Sequence, residues 1–387
     1  MPLFTFLLYN ENMPPNSLKT WINISRKAAE YNFGVFRTLL QPKTKLFAVV
    51  KSNAYGHGLW DFAGLANEFG ADGFCADSVM EGVTLRRHGI KKPILVLGPT
   101  LPALFKDAAM NKITITLSNF ENLAAYLKLK LKPEFHLKID TGMRRQGFYV
   151  SELGKVLKQL RTSNFELRTC LKGVYTHFAS AKDINYPTFT EKQFTEFQKA
   201  LKIIDSAGYE NISRHCAATG GAMINPKYHL DAVRLGIGLY GLWPSKELQL
   251  QFPKIKLKPV LSWQALISEI KEARKDDFVS YDLTERLSRP TKIAIIPIGY
   301  WHGFDRGLSG IGEVLINGRR ARVLGRVTMD LIMADITGIK CAVGDKTIII
   351  GRQGSDEITA EDIARKIGTS HYEVITRINP LIERSIV

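Results

Sequence analysis

From about residue 18 to residue 245, short apolar, β-branched runs alternate with longer amphipathic segments, the signature of a parallel β/α architecture. Eight runs predict strands: Leu46 to Val50, Gly73 to Ala76, Ile94 to Leu97, Ile113 to Leu117, Phe135 to Ile139, Gly173 to Thr176, Ser213 to Cys216 and Val233 to Leu239. The segments Ser78 to His88, Asn119 to Leu129, Ser151 to Leu160 and Thr190 to Ala207 predict intervening helices. Eight such units over this length predict an N-terminal TIM (β/α)8 barrel, whose functional residues gather at the carboxyl ends of the strands. A doubly wound open sheet is the alternative, but no Gly-x-Gly-x-x-Gly follows the first strand.

After Trp243-Pro244-Ser245 the texture changes to short strand-like pieces broken by Gly and Asp: Val260 to Ile270, Lys292 to Ile298, Glu313 to Ile316, Ile332 to Ile336 and Lys346 to Ile350. One amphipathic helix is expected near Ala360 to Lys366. The expectation is therefore an α/β chain in two parts, a barrel over residues 16–245 and a mostly β domain over 246–387.

Composition narrows the classes. A chain of 387 residues, 45% of them hydrophobic, has ample material for two cores. The 53 basic and 37 acidic residues leave a net charge of +16, which could serve nucleic acid, anionic membrane or acidic ligands. The charges are scattered, however. Lys128 to Lys132 alternates Lys with Leu, and Arg319-Arg320-Ala321-Arg322 is short, so neither nucleic acid nor membrane is the expected partner. Cys75, Cys170, Cys216 and Cys341 are far apart with no Cys-x-x-Cys pair, which points to reduced thiols, a cytoplasmic setting and no metal site. Met1 to Tyr9 is apolar but lacks a basic flank and a small-residue cleavage site, so no signal peptide is expected.

Candidate chemistry begins at Ala48-Val49-Val50-Lys51-Ser52-Asn53-Ala54-Tyr55-Gly56-His57-Gly58. An apolar strand delivers one lysine to the head of a polar, Gly-rich loop. A partly desolvated amine at a strand end suits Schiff-base chemistry, while Gly56, Gly58 and the Tyr55 hydroxyl suit a phosphate. Alone, a lysine so placed is more often an ordinary solvated strand end. Lys138 and Arg234 are charged residues inside apolar runs, where an unpaired charge is costly, so Lys138 needs an acidic partner or a chemical change and Arg234 a specific partner.

The string Val-Val-Lys-Ser-Asn-Ala-Tyr-Gly-His-Gly resembles the pyridoxal 5'-phosphate lysine motif of alanine racemases, which usually carry Ala where Ser52 stands. Further matches follow in family order over nearly the full length: Lys138-Ile139-Asp140-Thr141-Gly142-Met143-Arg144-Arg145, Tyr175-Thr176-His177, Val233-Arg234-Leu235-Gly236-Ile237-Gly238, Val279-Ser280-Tyr281-Asp282 against the family's Val-Ser-Tyr-Gly, Ile298-Gly299-Tyr300 and Arg326-Val327-Thr328-Met329-Asp330. The resemblance implies the same two domains, with residues 1–15 packing on the second. It implies racemisation of L- and D-alanine by two bases, Lys51 and Tyr281, on opposite faces of a planar intermediate, supplying D-alanine for peptidoglycan.

By the same resemblance His177 hydrogen-bonds the catalytic tyrosine, and Arg234 faces the cofactor's pyridine nitrogen, where a permanent cation makes the ring a weaker electron sink. Tyr55, Thr219, Gly236 and Ile237 hold the cofactor. Arg145, Tyr300 and Met329 meet the substrate carboxylate or line its approach, with Arg306 and Arg326 as further entrance candidates. Lys138 matches a lysine that is often carbamylated and then orients the arginine matching Arg145. Tyr281, Tyr300 and Met329 would reach into a partner chain's barrel, implying a head-to-tail homodimer.

Four departures stand out: Ala218-Thr219 for the common Asn-Ser, Trp301-His302 for Ala-Asp, Lys182 for an acidic entrance residue, and Pro380 for a buttressing tyrosine. A barrel pyridoxal-phosphate decarboxylase is the nearest rival, but its second-domain pairing of a cysteine with acidic residues for a distal amine is not evident near Val279-Ser280-Tyr281, and Arg234 differs from its acidic ring partner. A single-barrel pyridoxal-phosphate carrier does not account for the second domain. A basic nucleic-acid-binding module rests on charge alone.

Overall fold

The computed structural model describes residues 18–161, 169–183 and 185–387. The expected packing of residues 1–15 and the reading of Met1 to Tyr9 lie outside them. The chain divides into two compact units, one spanning Ile24–Val260 with Ile386–Val387, the other Leu261–Ser385 with the residues up to Asn23.

After β1 (Thr20–Ile24), which joins the sheet of the other unit, the first unit lays down β2 (Lys45–Val49), β3 (Gly73–Ala76), β4 (Ile94–Val96), β5 (Ile115–Leu117), β6 (Phe135–Lys138), β7 (Leu171–Tyr175), β8 (Ser213–His215) and β9 (Ala232–Leu235). These eight are parallel, in two runs ordered β4-β3-β2-β9 and β5-β6-β7-β8. Parallel bridges Leu95–Thr114 and Ala218–Arg234 join the runs at both ends and close the barrel. The strands are buried on both faces because helices cover the outside: Val79–Arg87, Phe120–Leu127, Leu153–Arg161 and Pro187–Ser206 fall where the periodicity places them. The last predicted strand is shorter than its apolar run. The chain leaves β9 after Leu235 and turns, with Leu239 N donating to Gly236 O at 2.9 Å.

The barrel interior is polar for so buried a layer, with Thr116, His136, Lys138, Tyr175, His215 and Arg234 all buried. Gly173 makes room for His136, since a Cβ there would stand 2.5 Å from the imidazole. Residues 246–260 remain with the barrel unit: Asn32 Nδ2 donates to Leu239 O and Lys258 O, and its Oδ1 accepts from Lys258 N.

The second unit is mostly β. Its strands are β10 (Leu261–Leu266), β11 (Glu269–Ala273), β12 (Phe278–Val279), β13 (Glu285–Arg286), β14 (Thr291–Ile296), β15 (Glu313–Ile316), β16 (Arg319–Leu324), β17 (Ile332–Asp335), β18 (Lys346–Gln353), β19 (Asp356–Ile358) and β20 (Arg384–Ile386). The main sheet runs β11-β14-β17-β16-β15-β18-β10-β1-β20, with β12 and β13 forming a separate ribbon. The run Val260 to Ile270 is two strands, not one, because Ile267 N turns aside to Asp345 O and Ser268 N to Ile295 O. Buried Trp263 donates to Thr20 Oγ1 at 2.8 Å, which fixes β1 against β10.

Candidate active site

Lys51 follows β2 directly, and the chain then makes a turn with no counterpart in the sequence reading. Ser52, Asn53, Ala54 and Tyr55 all have φ between 50° and 56°, a single left-handed turn. For residues with a Cβ this costs about 1–2 kcal/mol each, so the turn must be held from outside. Ala54 N donates to Val50 O at 2.8 Å, and Asn53 Oδ1 accepts from Leu59 N at 2.9 Å. Glu81 supplies the strongest tie: one carboxylate oxygen accepts from Ser52 N and the other from Asp77 N, both at 2.7 Å. That clamp brings Asp77 Oδ1 to 3.7 Å from Lys51 Nζ.

Arg234, on β9, is the charge at the centre of the barrel. Nη1 donates to His215 Nδ1 at 2.5 Å, and Nη2 faces Thr176 O at 2.8 Å, Cys216 O at 3.2 Å and His177 Nδ1 at 3.3 Å. Every one of these acceptors is neutral. Burial drives both His177 and His215 well below the ordinary imidazole range, and the Arg234 charge adds to the effect. For His177 the charges of Arg145, Lys138 and Lys51 act in the same direction. A neutral His215 that accepts at Nδ1 carries its proton on Nε2, which faces His136 Nδ1 at 2.9 Å. His136 is pushed down to about 3, first by burial and then by Arg234.

Lys138 ends β6 beneath the same layer. Its Nζ donates to Gln146 Oε1 at 2.8 Å, and Gln146 in turn donates to Ser118 Oγ at 3.2 Å. The acidic partner anticipated for Lys138 is instead an amide. Burial, followed by the charges of Arg145 and Arg234, lowers the lysine to about 7. Arg145 lies on an exposed loop shaped by Asp140, whose carboxylate accepts from the backbone N of Gly142, Arg144 and Arg145.

A cradle lies beside these groups. Thr219 Oγ1 accepts from Gly236 N at 3.3 Å and Gly238 N at 3.4 Å, across the turn that also contains Ile237. A Cβ on Gly236 would stand 2.7 Å from the Tyr55 hydroxyl, so that glycine keeps open the space Tyr55 faces. Backbone donors, two hydroxyls and a missing side chain suit a phosphate, and the neighbouring lysine suits a carbonyl. The donor set therefore fits pyridoxal 5'-phosphate.

The second unit holds the remaining candidates. Tyr281 is 69% exposed, Met329 55% and Tyr300 44%. Tyr300 N donates to Thr328 O and Trp301 N to Met329 O, so the two segments form one surface. Ser280 and Asp282 flank Tyr281 with φ of 69° and 62°. His302 is buried and accepts from Gly299 N at 3.2 Å, which makes it a cap for this turn. Asn379 holds the same turn, donating from Nδ2 to Trp301 O and from N to His302 O beside the exposed Pro380. Arg306 and Lys182 are exposed.

In the barrel unit the structure joins Lys51, Lys138, Arg145, His177 and Arg234 electrostatically, and Tyr55, Thr219 and Gly236 by contact. Sequence reading missed Glu81, His136 and His215. A signal existed for the histidines, since both lie within predicted strands as Arg234 does, but Glu81 looks like any helix-face carboxylate.

The family model for the alanine racemase N-terminal domain matches residues 24–244, and that for the C-terminal domain matches residues 260–386. Alanine racemase from Leptospira interrogans is 37% identical over 380 residues, covering 96% of this chain and 97% of that protein. The crystal structure of alanine racemase from Bacillus anthracis with bound L-Ala-P superposes with a TM-score of 0.90 at 35% identity, covering 95% of each chain. Alanine racemase from Clostridium difficile gives 0.88 at 33% identity, covering 96% of each. With both domains matched and the barrel and β unit in place, the chain belongs to the alanine racemase family.

Proposed function

We propose that this protein interconverts L- and D-alanine with pyridoxal 5'-phosphate, Lys51 and Tyr281 serving as the two bases, and that it supplies D-alanine for peptidoglycan in the cytoplasm. When bound, the cofactor acidifies the substrate α-hydrogen by delocalising the electron pair left behind. The observation that carries this reading is Arg234, a buried cation whose acceptors are all neutral. Such a site attracts an anionic, hydrogen-bond-accepting ligand. A permanent donor at the ring nitrogen also limits how far charge withdraws into the ring, which favours simple proton return over side reactions.

The residues take these roles. Thr219, Gly236, Ile237 and Tyr55 hold the phosphate, and Lys51 anchors the carbonyl carbon. Lys51 Nζ moves the α-proton of D-alanine, and the Tyr281 hydroxyl moves that of L-alanine. His177 accepts from Arg234 at Nδ1, so its neutral ring carries the proton on Nε2 and can donate to the Tyr281 oxygen. Arg145 and Met329 receive the substrate carboxylate beside Tyr300, and Lys138, lowered to about 7, is the lysine poised for carbamylation.

We further propose a head-to-tail homodimer in which Tyr281, Tyr300 and Met329 of one chain complete the other chain's barrel site. The exposure of these three beside Trp301 and Leu331 supports it, since an apolar surface of this kind calls for a cover. The test is complementation. Lys51→Ala and Tyr281→Phe chains, each nearly inactive alone, should regain racemase activity when dissociated and reassembled together, because mixed dimers contain one native site. Activity no higher than the sum of the two variants would overturn the shared site.

A further inference from the structure

Tyr281 stands in a loop whose backbone is strained on both sides. Ser280 and Asp282 have φ of 69° and 62°, and Leu283 follows at 50°. Left-handed φ is tolerated by Asp better than by most residues, and Gly adopts it freely. The Val-Ser-Tyr-Gly pattern resembled by residues 279–282 thus meets the backbone need with Gly, whereas this chain has a carboxylate there.

That carboxylate has a partner. Asp282 Oδ2 lies 3.4 Å from Arg326 Nε, an ion pair without hydrogen-bond geometry, and Nε makes no hydrogen bond among the described residues. The same two segments are tied again by Ser280 Oγ, which donates to Arg326 O at 2.8 Å. They also pack closely at Gly325, where a Cβ would stand 2.4 Å from Val279 O and 2.9 Å from Ser280 Cβ. Glu285 completes the lacing, pairing with Arg322 at 2.7 Å and reaching Gly325 N at 3.4 Å. Strained backbone persists where surrounding contacts over-determine it. Here the Ser280 hydroxyl bond and the close approach at Gly325 fix Ser280, and the side-chain pair fixes Asp282.

We infer that Asp282 is a positioning residue for Tyr281, holding the tyrosine loop against the Arg326 segment through its carboxylate, a device not present where glycine occupies the position. The inference rests on Tyr281 acting as the base for L-alanine. The Arg326 side chain can be removed without touching the tie between Ser280 Oγ and the Arg326 carbonyl, so the pair can be tested by a double-mutant cycle.

The experiment compares Asp282→Asn, Arg326→Gln and the double variant, with Tyr281→Phe alongside, all as pyridoxal-phosphate-loaded enzyme. Asparagine keeps the tolerance for left-handed φ and removes only the charge. Racemisation and α-hydrogen exchange in D2O are measured from each enantiomer. Asp282→Asn and Arg326→Gln should each lower kcat by about threefold to tenfold with KM little changed, and the double variant should fall no further than the singles. Exchange from D-alanine should outlast racemisation, because only the Tyr281 step is impaired. Additive losses, or equal slowing of exchange from both enantiomers, would overturn the role of Asp282. If Tyr281→Phe itself slows both exchanges equally, the two-base assignment has failed, whatever the cycle shows.

Discussion

Nη1 of Arg234 lies 2.5 Å from Nδ1 of His215, and Nε2 of that ring lies 2.9 Å from Nδ1 of His136. One arginine therefore fixes the tautomer of two successive buried imidazoles. Lysine keeps the charge but cannot reproduce a planar fork serving two rings and two carbonyls. Arg234→Lys should lose about 2–4 kcal/mol of unfolding free energy. Urea unfolding checks this, and an unchanged midpoint and slope would contradict the network.

The imidazoles also give stability a pH dependence. Their folded values lie below the ordinary 6.5, at about 3 for His136, so between those limits the unfolded chain binds more protons. Stability should fall as pH drops from 6.5 toward 3. Thermal unfolding across that range should show a shallower slope in His136→Gln than in the parent, and equal slopes would exclude His136 as a contributor.

Lys138 titrates in the neutral range. Lowered to about 7, it gains a neutral amine as pH rises through that value, and a neutral amine is what carbon dioxide requires. With 13C-labelled bicarbonate, a protein carbamate resonance should grow between about pH 6 and about pH 8 and vanish in Lys138→Gln. A resonance that survives the substitution would place the carbamate elsewhere.

Glu81 has no assigned role toward cofactor or substrate, yet its carboxylate holds the backbone at Ser52, next to Lys51, and at Asp77, which faces the lysine. Glu81→Ala leaves two amides without these acceptors and should cost about 1–3 kcal/mol. Borohydride trapping of pyridoxal phosphate should then label Lys51 more slowly than in the parent. Parental stability together with parental labelling would remove Glu81 from the site.

The barrel was legible because most of its buried parallel strands are carried on apolar runs, even where a polar side chain points into the barrel, and the eight runs read from pattern coincide with β2 to β9 within a few residues. Where charge sits on alternate positions the pattern misleads. Arg319-Arg320-Ala321-Arg322 reads as a short basic patch but is the start of β16, with Ala321 inward and the arginines outward. Arg320 pairs there with Glu313 and Asp356, and Arg322 with Glu285. Strand β1 was missed because its sheet partners β10 and β20 are both distant in sequence, Trp263 donating to Thr20 Oγ1 and Ile22 N to Glu383 O. The site lysine could be found from its motif, but the left-handed turn after it could not, since Ser, Ala and Tyr have no local preference for positive φ. The fold supplies that conformation.

This has a consequence for the order in which the molecule matures. The turn over residues 52–55 exists only while Glu81 and the helix beginning at Leu59 hold it, and both follow Lys51 along the chain. Until those later residues pack, the backbone after Lys51 lacks these ties. The 3.7 Å approach of Lys51 Nζ to Asp77 Oδ1 therefore comes with barrel closure, as a product of the tertiary fold and not of the motif that contains the lysine.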